Sequence, residues 1–252
     1  MNRSSLLFSR GRVRSRCKIW LSGTKDRSSS NEELDDMSPP PEWIAAHAAL
    51  SSDIKKAGKR SRLPFRTMND LTRTSERYPA LIPMLIDWVR NVEEYSGLTD
   101  HRDLANFRSG LYRALTTIDA MGTEAVPLLM EQYYLNPPLP EVNSYAIGNA
   151  LRYLAVPSDY EQMARLGADR SLGSGRVAIL EWLVKQGLPE GLQIVVDQID
   201  DPSVRALGIK YIRQYRPLPS GLRPIIEQYV DDPDSEVRKQ ARATLKKLST
   251  AN

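Results

Sequence analysis

The sequence predicts an all-α fold, and three observations lead to that prediction. Aromatic residues make up only 7% of the 252-residue chain. The apolar residues follow the 3.6-residue period of a helix rather than the alternation of a half-buried strand. The prolines lie mostly between the apolar segments, where a proline ends one helix before the next begins.

One segment of the sequence recurs along the chain. DDPSVRALGIKYIRQY, at 200–215, is similar to DPDSEVRKQARATLKKL, at 232–248. In the first copy, apolar residues from Val204 to Tyr215 have the spacing of one buried helix face. The same stripe recurs, imperfectly, in three earlier segments. The five stripes begin at Leu104, Asn143, Arg176, Val204 and Val237.

A second recurring phrase predicts a partner helix for these segments. It is found as ALIPMLIDWV (80–89), AVPLLMEQYY (125–134), GLQIVVDQI (191–199) and GLRPIIEQYV (221–230), while the segment near 160–166 matches it poorly. The predicted helix pairs are 80–119, 124–155, 159–187, 190–216 and 220–248, with 42–78 as an N-terminal cap. Helix pairs that repeat every 28 to 39 residues are typical of an α-solenoid, in which each pair buries its open face on its neighbours.

The last two copies resemble a known family. DPSVRALGIKYI and DSEVRKQARATL are similar to HEAT repeats, particularly the short bacterial kind, with an Asp before the second helix, then Val-Arg, a small residue and a Leu. The likeness is weaker in the three earlier pairs and absent from residues 1–40. It implies an armadillo-like helical domain over 41–252 that binds proteins or nucleic acids, and it implies no particular activity.

Aspartate and arginine recur at the start of the last two second helices. Asp201–Arg205 and Asp234–Arg238 are spaced for oppositely charged pairs on one helix face. Each Asp is also placed to accept hydrogen bonds from free N–H groups at the helix start. We expect a structural role for both pairs.

Residues 1–40 are predicted to be a disordered, basic and serine-rich tail. Eight basic and five acidic residues lie in 1–36, a net charge of +3 within the chain's total of +4. Three interpretations are open: a transit peptide, a nucleic-acid-binding arm, or an extension upstream of the true start. We favour the third, because Met37 directly precedes SPPPEW, where a proline-bounded helix begins.

The sequence predicts a cytoplasmic protein without a membrane partner. No apolar run approaches the ~18 residues that span a bilayer, and SLLF near the N-terminus is too short for a secretory signal. The single cysteine, Cys17, has no second cysteine with which to form an intramolecular disulfide.

The face opposite each apolar stripe is the predicted binding surface. If the stripes pack inward, the positions about 160° away face an open groove. Seven of these fifteen positions are basic and none is acidic, and Tyr145 and Trp182 are expected to expose large rings there. We define the basic face by its candidate binding residues: Arg113, Tyr145, Asn149, Arg152, Trp182, Lys185, Lys210, Arg213 and Lys246.

The helix dipole gives a second explanation for the basic residues of this face, since they lie toward helix C-termini. Each such cation interacts favourably with the dipole by ~0.3–1 kcal/mol. The two explanations make different predictions. Under the binding hypothesis, Tyr145 and Trp182 anchor a partner, since aromatic side chains contribute strongly to interfaces and also stack on bases.

No catalytic residue, cofactor or metal site is predicted. Neither His47 nor His101 precedes a glutamate, as the di-iron hydroxylases built on HEAT repeats require, and one cysteine with two distant histidines makes no zinc site. GSGRVA at 173–178 fits a dinucleotide-binding pattern, but no strand is predicted before it, so it is interpreted as a connection. No Walker phosphate loop or G-x-S-x-G motif occurs.

The predicted function is a non-enzymatic scaffold that binds an acidic protein segment through its basic concave face. The alternative is a nucleic-acid-binding protein, including a HEAT-like DNA glycosylase for base excision. Those glycosylases use an essential aspartate, and none of the fifteen groove positions is a carboxylate. HEAT-like proteins also attach bilins, and no residue here argues for or against that role.

Overall fold

The computed structural model describes residues 39–249. The predicted tail at 1–40 therefore lies outside the described residues, apart from its last two positions. Within 39–249, 73% of residues are helical and none belongs to a strand. The prediction of an all-α fold is confirmed for this part of the chain.

Thirteen α-helices and six short 3₁₀ segments make up the described residues. The α-helices are α1 (Pro41–Arg60), α2 (Met68–Arg73), α3 (Ile82–Arg90), α4 (Val92–Ser96), α5 (His101–Leu115), α6 (Ala125–Glu131), α7 (Glu141–Leu154), α8 (Tyr160–Ala168), α9 (Val177–Lys185), α10 (Pro189–Gln198), α11 (Arg205–Ile212), α12 (Arg223–Glu227) and α13 (Ser235–Ser249). The 3₁₀ segments are Pro79–Leu81, Ile118–Ala120, Gln132–Tyr134, Pro157–Asp159, Arg170–Arg176 and Ser220–Leu222.

The helices contact one another in a regular order. Helix α3 packs on α5, α6 on α7, α8 on α9, α10 on α11, and α12 on α13. Helices α5, α7, α9, α11 and α13, which we call the second helices, also contact one another in chain order. Helix α1 packs on α2, α3 and α4, and α2 packs on α5.

Local sequence signals account for several helix boundaries. Asp100 precedes α5 as its N-cap, and its carboxylate accepts a hydrogen bond from the Asp103 amide at 2.9 Å. Helix α2 begins with a capping box between Thr67 and Asp70. Prolines occupy the first turn of α1 and α10, where the missing N–H is not needed.

The core contains polar side chains from the predicted stripes as well as apolar ones. Asn143, Arg176 and Arg108 all belong to the buried stripe in the sequence, and all three are buried. Asn143 Nδ2 donates to the Ala105 carbonyl at 2.6 Å and to Ser109 Oγ at 3.0 Å. These bonds link α7 to α5 and offset part of the cost of burying an amide.

The Asp and Arg side chains of the last pairs do not form the predicted i, i+4 ion pairs. Asp201 pairs with Arg176 of the preceding helix pair, and Arg205 pairs with Asp232 of the following one at 3.1 Å. The predicted hydrogen bond to a helix start is present for Asp234, which accepts from the Glu236 amide of α13 at 2.7 Å. Asp201 instead accepts from the Ser203 amide at 2.9 Å, in the turn before α11. The ion pairs therefore connect successive helix pairs rather than turns of one helix.

Candidate partner-binding face

Five cations of the basic face, one for each second helix, lie near the C-terminal ends of these helices. Arg113 is on α5, Arg152 on α7, Lys185 on α9, Arg213 directly after α11, and Lys246 on α13. Four of them are exposed and Arg213 is half-buried. None of the five side chains belongs to the core.

A carboxylate that the sequence did not place on the basic face lies between two of its cations. Glu181 on α9 accepts from Arg152 Nη1 at 2.6 Å and from Lys185 Nζ at 2.6 Å. Its side chain is only 14% exposed. Burial alone would raise the pKa of Glu181, but the hydrogen bonds from Lys185 and Arg152 hold that pKa below its ordinary value. None of the fifteen derived groove positions is acidic, but Glu181, which is not one of them, brings a carboxylate next to Arg152 and Lys185.

Arg213 is linked to a second acidic residue, Glu236, through Gln240. Arg213 Nη2 donates to Gln240 Oε1 at 3.1 Å, while Arg213 Nη1 is buried without a hydrogen-bond partner. Gln240 Nε2 in turn donates to Glu236 at 2.6 Å, and Glu236 pairs with Lys239 at 3.0 Å. This chain of contacts joins α11 to α13.

Four cations of the basic face form no ion pair within residues 39–249; one of them, Arg213, is held by its hydrogen bond to Gln240, and the other three are not. Arg113 and Lys246 are exposed, and Lys210 is half-buried. The pKa of Glu236 is lowered mainly by its hydrogen bond from Gln240, and the charge of Lys210 adds to that effect. The side chains of these three cations also make no hydrogen bond to a described residue. These three side chains are therefore available to an anionic partner without the loss of an internal contact.

Trp182 is not exposed, and the prediction that it anchors a partner on the surface is wrong. Its side chain is 5% exposed, and its indole Nε1 donates to the Ala155 carbonyl at 3.3 Å. The ring lies tilted against Tyr160, with 6.2 Å between the ring centroids. Trp182 therefore belongs to the core between α7, α8 and α9.

The burial of Trp182 follows from the packing of α9 on several sides. Helix α9 contacts α7, α8, α10 and α11. In the segment VAILEWLV, Glu181 is the one polar residue, and every other residue is buried. A helix that is apolar all round is a buried helix, and this run was the sequence signal that the single-stripe interpretation missed.

Tyr145 is exposed, as the sequence predicts, and lies near the Arg152 and Glu181 pair. Its side chain is 48% exposed on α7. The half-buried Asn149 donates from Nδ2 to the Tyr145 carbonyl at 3.1 Å. Tyr211 of α11 lies close to Tyr145 and to the Arg152–Glu181 pair. Burial raises the pKa of Tyr211 to about 12, and the charges of Glu181 and Tyr145 also raise it. The basic face thus carries one exposed ring beside paired charges.

The remaining chemistry-bearing residues show no converging arrangement. Within 39–249, no group of three or more His, Cys, Asp or Glu side chains is placed to hold a metal ion. His47 packs between Trp43 and Phe107, at centroid distances of 4.6 and 5.0 Å, and burial lowers its pKa. The same stretch of chain contains no helix with the length and apolarity needed to cross a bilayer.

Comparison of the chain with protein-family models, with curated proteins and with solved structures finds no match in any of the three. The resemblance to HEAT repeats therefore rests on the sequence phrases alone.

Proposed function

We propose that the chain is a non-enzymatic α-solenoid of HEAT-like repeats that binds an acidic segment of a partner protein on its basic face. The order of helix contacts supports the solenoid, because each second helix packs on its own first helix and on the neighbouring second helices. An array of this kind presents one side of each second helix along an extended concave surface.

One observation carries the binding proposal: the cations on this surface outnumber the carboxylates that neutralise them. Arg152 and Lys185 share the single carboxylate of Glu181. Arg113, Lys210 and Lys246 form no ion pair with any residue in 39–249. A partner carboxylate is therefore attracted to a surface with surplus positive charge, and the field is stronger where low-dielectric walls enclose it.

The fixed positions of these cations favour binding as well. The helices that carry them are held by the buried core and by hydrogen bonds between pairs, such as Arg213 to Gln240. Side chains on rigid helices lose less conformational entropy on binding than side chains on loops.

Nucleic acid is the second candidate ligand of the basic face, and the exposed Tyr145 favours it. Base stacking on an aromatic ring contributes ~1–3 kcal/mol per base. Glu181 is engaged by two cations, so a role for it as the carboxylate of a base-excision enzyme requires that both contacts break first.

Charge reversal of Arg113, Lys210 and Lys246 tests the proposal. We expect R113E/K210E/K246E to weaken binding of a fluorescein-labelled polyglutamate peptide by about tenfold or more, because three attractive charges become repulsive. The measurement is fluorescence anisotropy at low salt with the full chain. These side chains make no internal hydrogen bond or ion pair, so the variant is expected to keep its fold.

The matched control is R102E/R165E/R242E, which makes the same change in net charge at exposed positions outside the basic face. We expect it to weaken peptide binding less than about threefold, because none of these side chains belongs to the basic face and exposed charges are screened by salt. Equal losses in both variants would show that net charge alone attracts the peptide. If these cations only interact with the helix dipoles, R113E/K210E/K246E lowers the melting temperature and weakens peptide binding no more than the control variant does.

A further inference from the structure

A second concentration of exposed cations lies at the end of α1 and in the turn that leads to α2. Residues 54–69 contain six basic residues and no acidic one. All six are exposed: Lys55, Lys56, Lys59, Arg60, Arg62 and Arg66. Within residues 39–249, only Lys56 among them forms an ion pair, with Asp53 at 3.1 Å. We call this surface, together with Arg73 of α2, the α1–α2 patch.

The patch forms two adjoining shallow depressions. Lys55, Lys59 and Arg66 line the first, which has a volume of about 420 Å³. The second, of about 610 Å³, shares Arg66 and adds Arg73. Four cations of the patch, Lys55, Lys59, Arg66 and Arg73, therefore face the same pair of adjoining depressions.

The floor and the acidic rim of these depressions are fixed by internal contacts. Phe65 is buried and packs edge-on against Tyr78, with 5.6 Å between the ring centroids. Asp70 accepts from the Arg66 and Thr67 amides at 2.9 and 3.0 Å. These backbone hydrogen bonds lower its pKa and engage its carboxylate in the capping box. Glu76 also lines the second depression, but no described cation pairs with it.

Helix chemistry accounts for only part of this charge. Lys59 and Arg60 lie in the last turn of α1, where cations interact favourably with the helix dipole. Arg62 lies in the turn, and Arg66 lies just before the N-terminus of α2, where the dipole disfavours a cation. The helix dipole therefore leaves Arg62 and Arg66 unexplained, whereas an external anion would account for both.

We propose that the α1–α2 patch binds the phosphate backbone of a nucleic acid. Long, unpaired Lys and Arg side chains are the groups that contact phosphates, and such contacts bind without reading the base sequence. An acidic protein or an anionic membrane is a poorer match, because no large apolar side chain in 55–73 is exposed to anchor in an interface or a bilayer. The proposal stands apart from the basic face and uses none of its residues.

Salt dependence of DNA binding tests this proposal, because each phosphate contact adds about 0.9 to the slope of log affinity against log salt. The variant is K55Q/K59Q/R66Q, which neutralises the three cations of the first depression. With a labelled mixed-sequence duplex of about 20 base pairs and the full chain, we expect the slope to fall by about 2.7. The dissociation constant at about 100 mM salt is expected to rise tenfold or more.

Matched variants separate this surface from net charge and from the basic face. R102Q/R165Q/R242Q removes the same charge from other exposed positions and is expected to leave the slope within about 0.5 of wild type. R113E/K210E/K246E is expected to keep a wild-type slope on DNA even if it loses the peptide. If K55Q/K59Q/R66Q loses its circular-dichroism melting transition, K59Q alone replaces it, with an expected slope change of about 0.9.

Three results would overturn the proposal. The first is a wild-type chain that does not bind the duplex at about 50 mM salt, where phosphate contacts are strongest. The second is an equal slope change in the matched control. The third is loss of binding to phosphatidylserine vesicles or to polyglutamate in K55Q/K59Q/R66Q while duplex binding is unchanged.

Discussion

Asp201→Ala lowers the free energy of unfolding by about 3–5 kcal/mol. Arg176, which pairs with this carboxylate, is completely buried. Its other partners are the Gly167 carbonyl at 3.1 Å and Gln198 Oε1 at 2.6 Å, both neutral. Removal of Asp201 therefore takes away the carboxylate paired with a buried guanidinium and leaves only the charge of Asp169, with which Arg176 forms no ion pair, and the energetic cost falls on the folded state alone.

The adjacent residue provides a matched control. Asp200 forms an ion pair with Arg170 at 2.6 Å, but both side chains are more than half exposed. Asp200→Ala is expected to cost less than about 1 kcal/mol, as for other exposed pairs. Urea denaturation at pH 7 compares the two variants. A double variant, R176M/D201A, is expected to recover part of the loss, since it removes the buried charge with its partner.

The same pair makes stability depend on pH. Burial alone would raise the pKa of Asp201, but hydrogen bonds from Ser203 and the Arg176 charge hold it below the ordinary value. A depressed folded-state pKa stabilises the fold above the unfolded value of about 3.9, and that contribution is lost as the pH falls further. The difference between wild type and Asp201→Ala is therefore expected to shrink below about pH 4. Equal stability of the two Asp→Ala variants at pH 7 would contradict the buried-pair account.

Trp182→Ala is expected to lower the free energy of unfolding by about 3–5 kcal/mol, because it opens a large cavity among α7, α8 and α9 and removes a hydrogen bond to the Ala155 carbonyl. Tyr145→Ala, at an exposed ring on the basic face, is expected to change stability by less than about 1 kcal/mol. Thermal and urea denaturation measure both. Comparable small losses would mean that the Trp182 ring is outside the core.

This prediction determines which residues can test binding. A Trp182 variant that loses a partner would report loss of folding, since Trp182 is only 5% exposed and has little surface to offer a ligand. The exposed cations Arg113, Lys210 and Lys246 change binding without a buried contact being lost.

The sequence predicted the helices and their buried stripes well, because helical periodicity is a property of each segment by itself. The stripe register even placed Arg176 and Arg108 inside, and both are buried despite their charge. The counter-charge of Arg176, Asp201, comes from the next helix pair, whereas Arg108 pairs with Glu93 of its own pair and also donates to Gln132 of the next one. These long-range partners leave no local signal in the sequence.

The candidate site was predicted less well, for a related physical reason. A helical wheel divides one helix into an inner and an outer face, but α9 has neighbours on four sides. Trp182 therefore lies in the core, and Glu181 is the carboxylate shared by Arg152 and Lys185. The exposure of Tyr145, Arg113 and Lys246 was predictable, because α7, α5 and α13 each keep one polar side.

Lysine footprinting by mass spectrometry tests the central claim most directly. The full chain is labelled with an amine-reactive reagent, with and without saturating polyglutamate peptide. If the basic face binds an acidic segment, the reactivity of Lys185, Lys210 and Lys246 falls on binding, while Lys55 and Lys59 react as before. Protection of Lys55 and Lys59 with unchanged Lys185, Lys210 and Lys246 would contradict the claim.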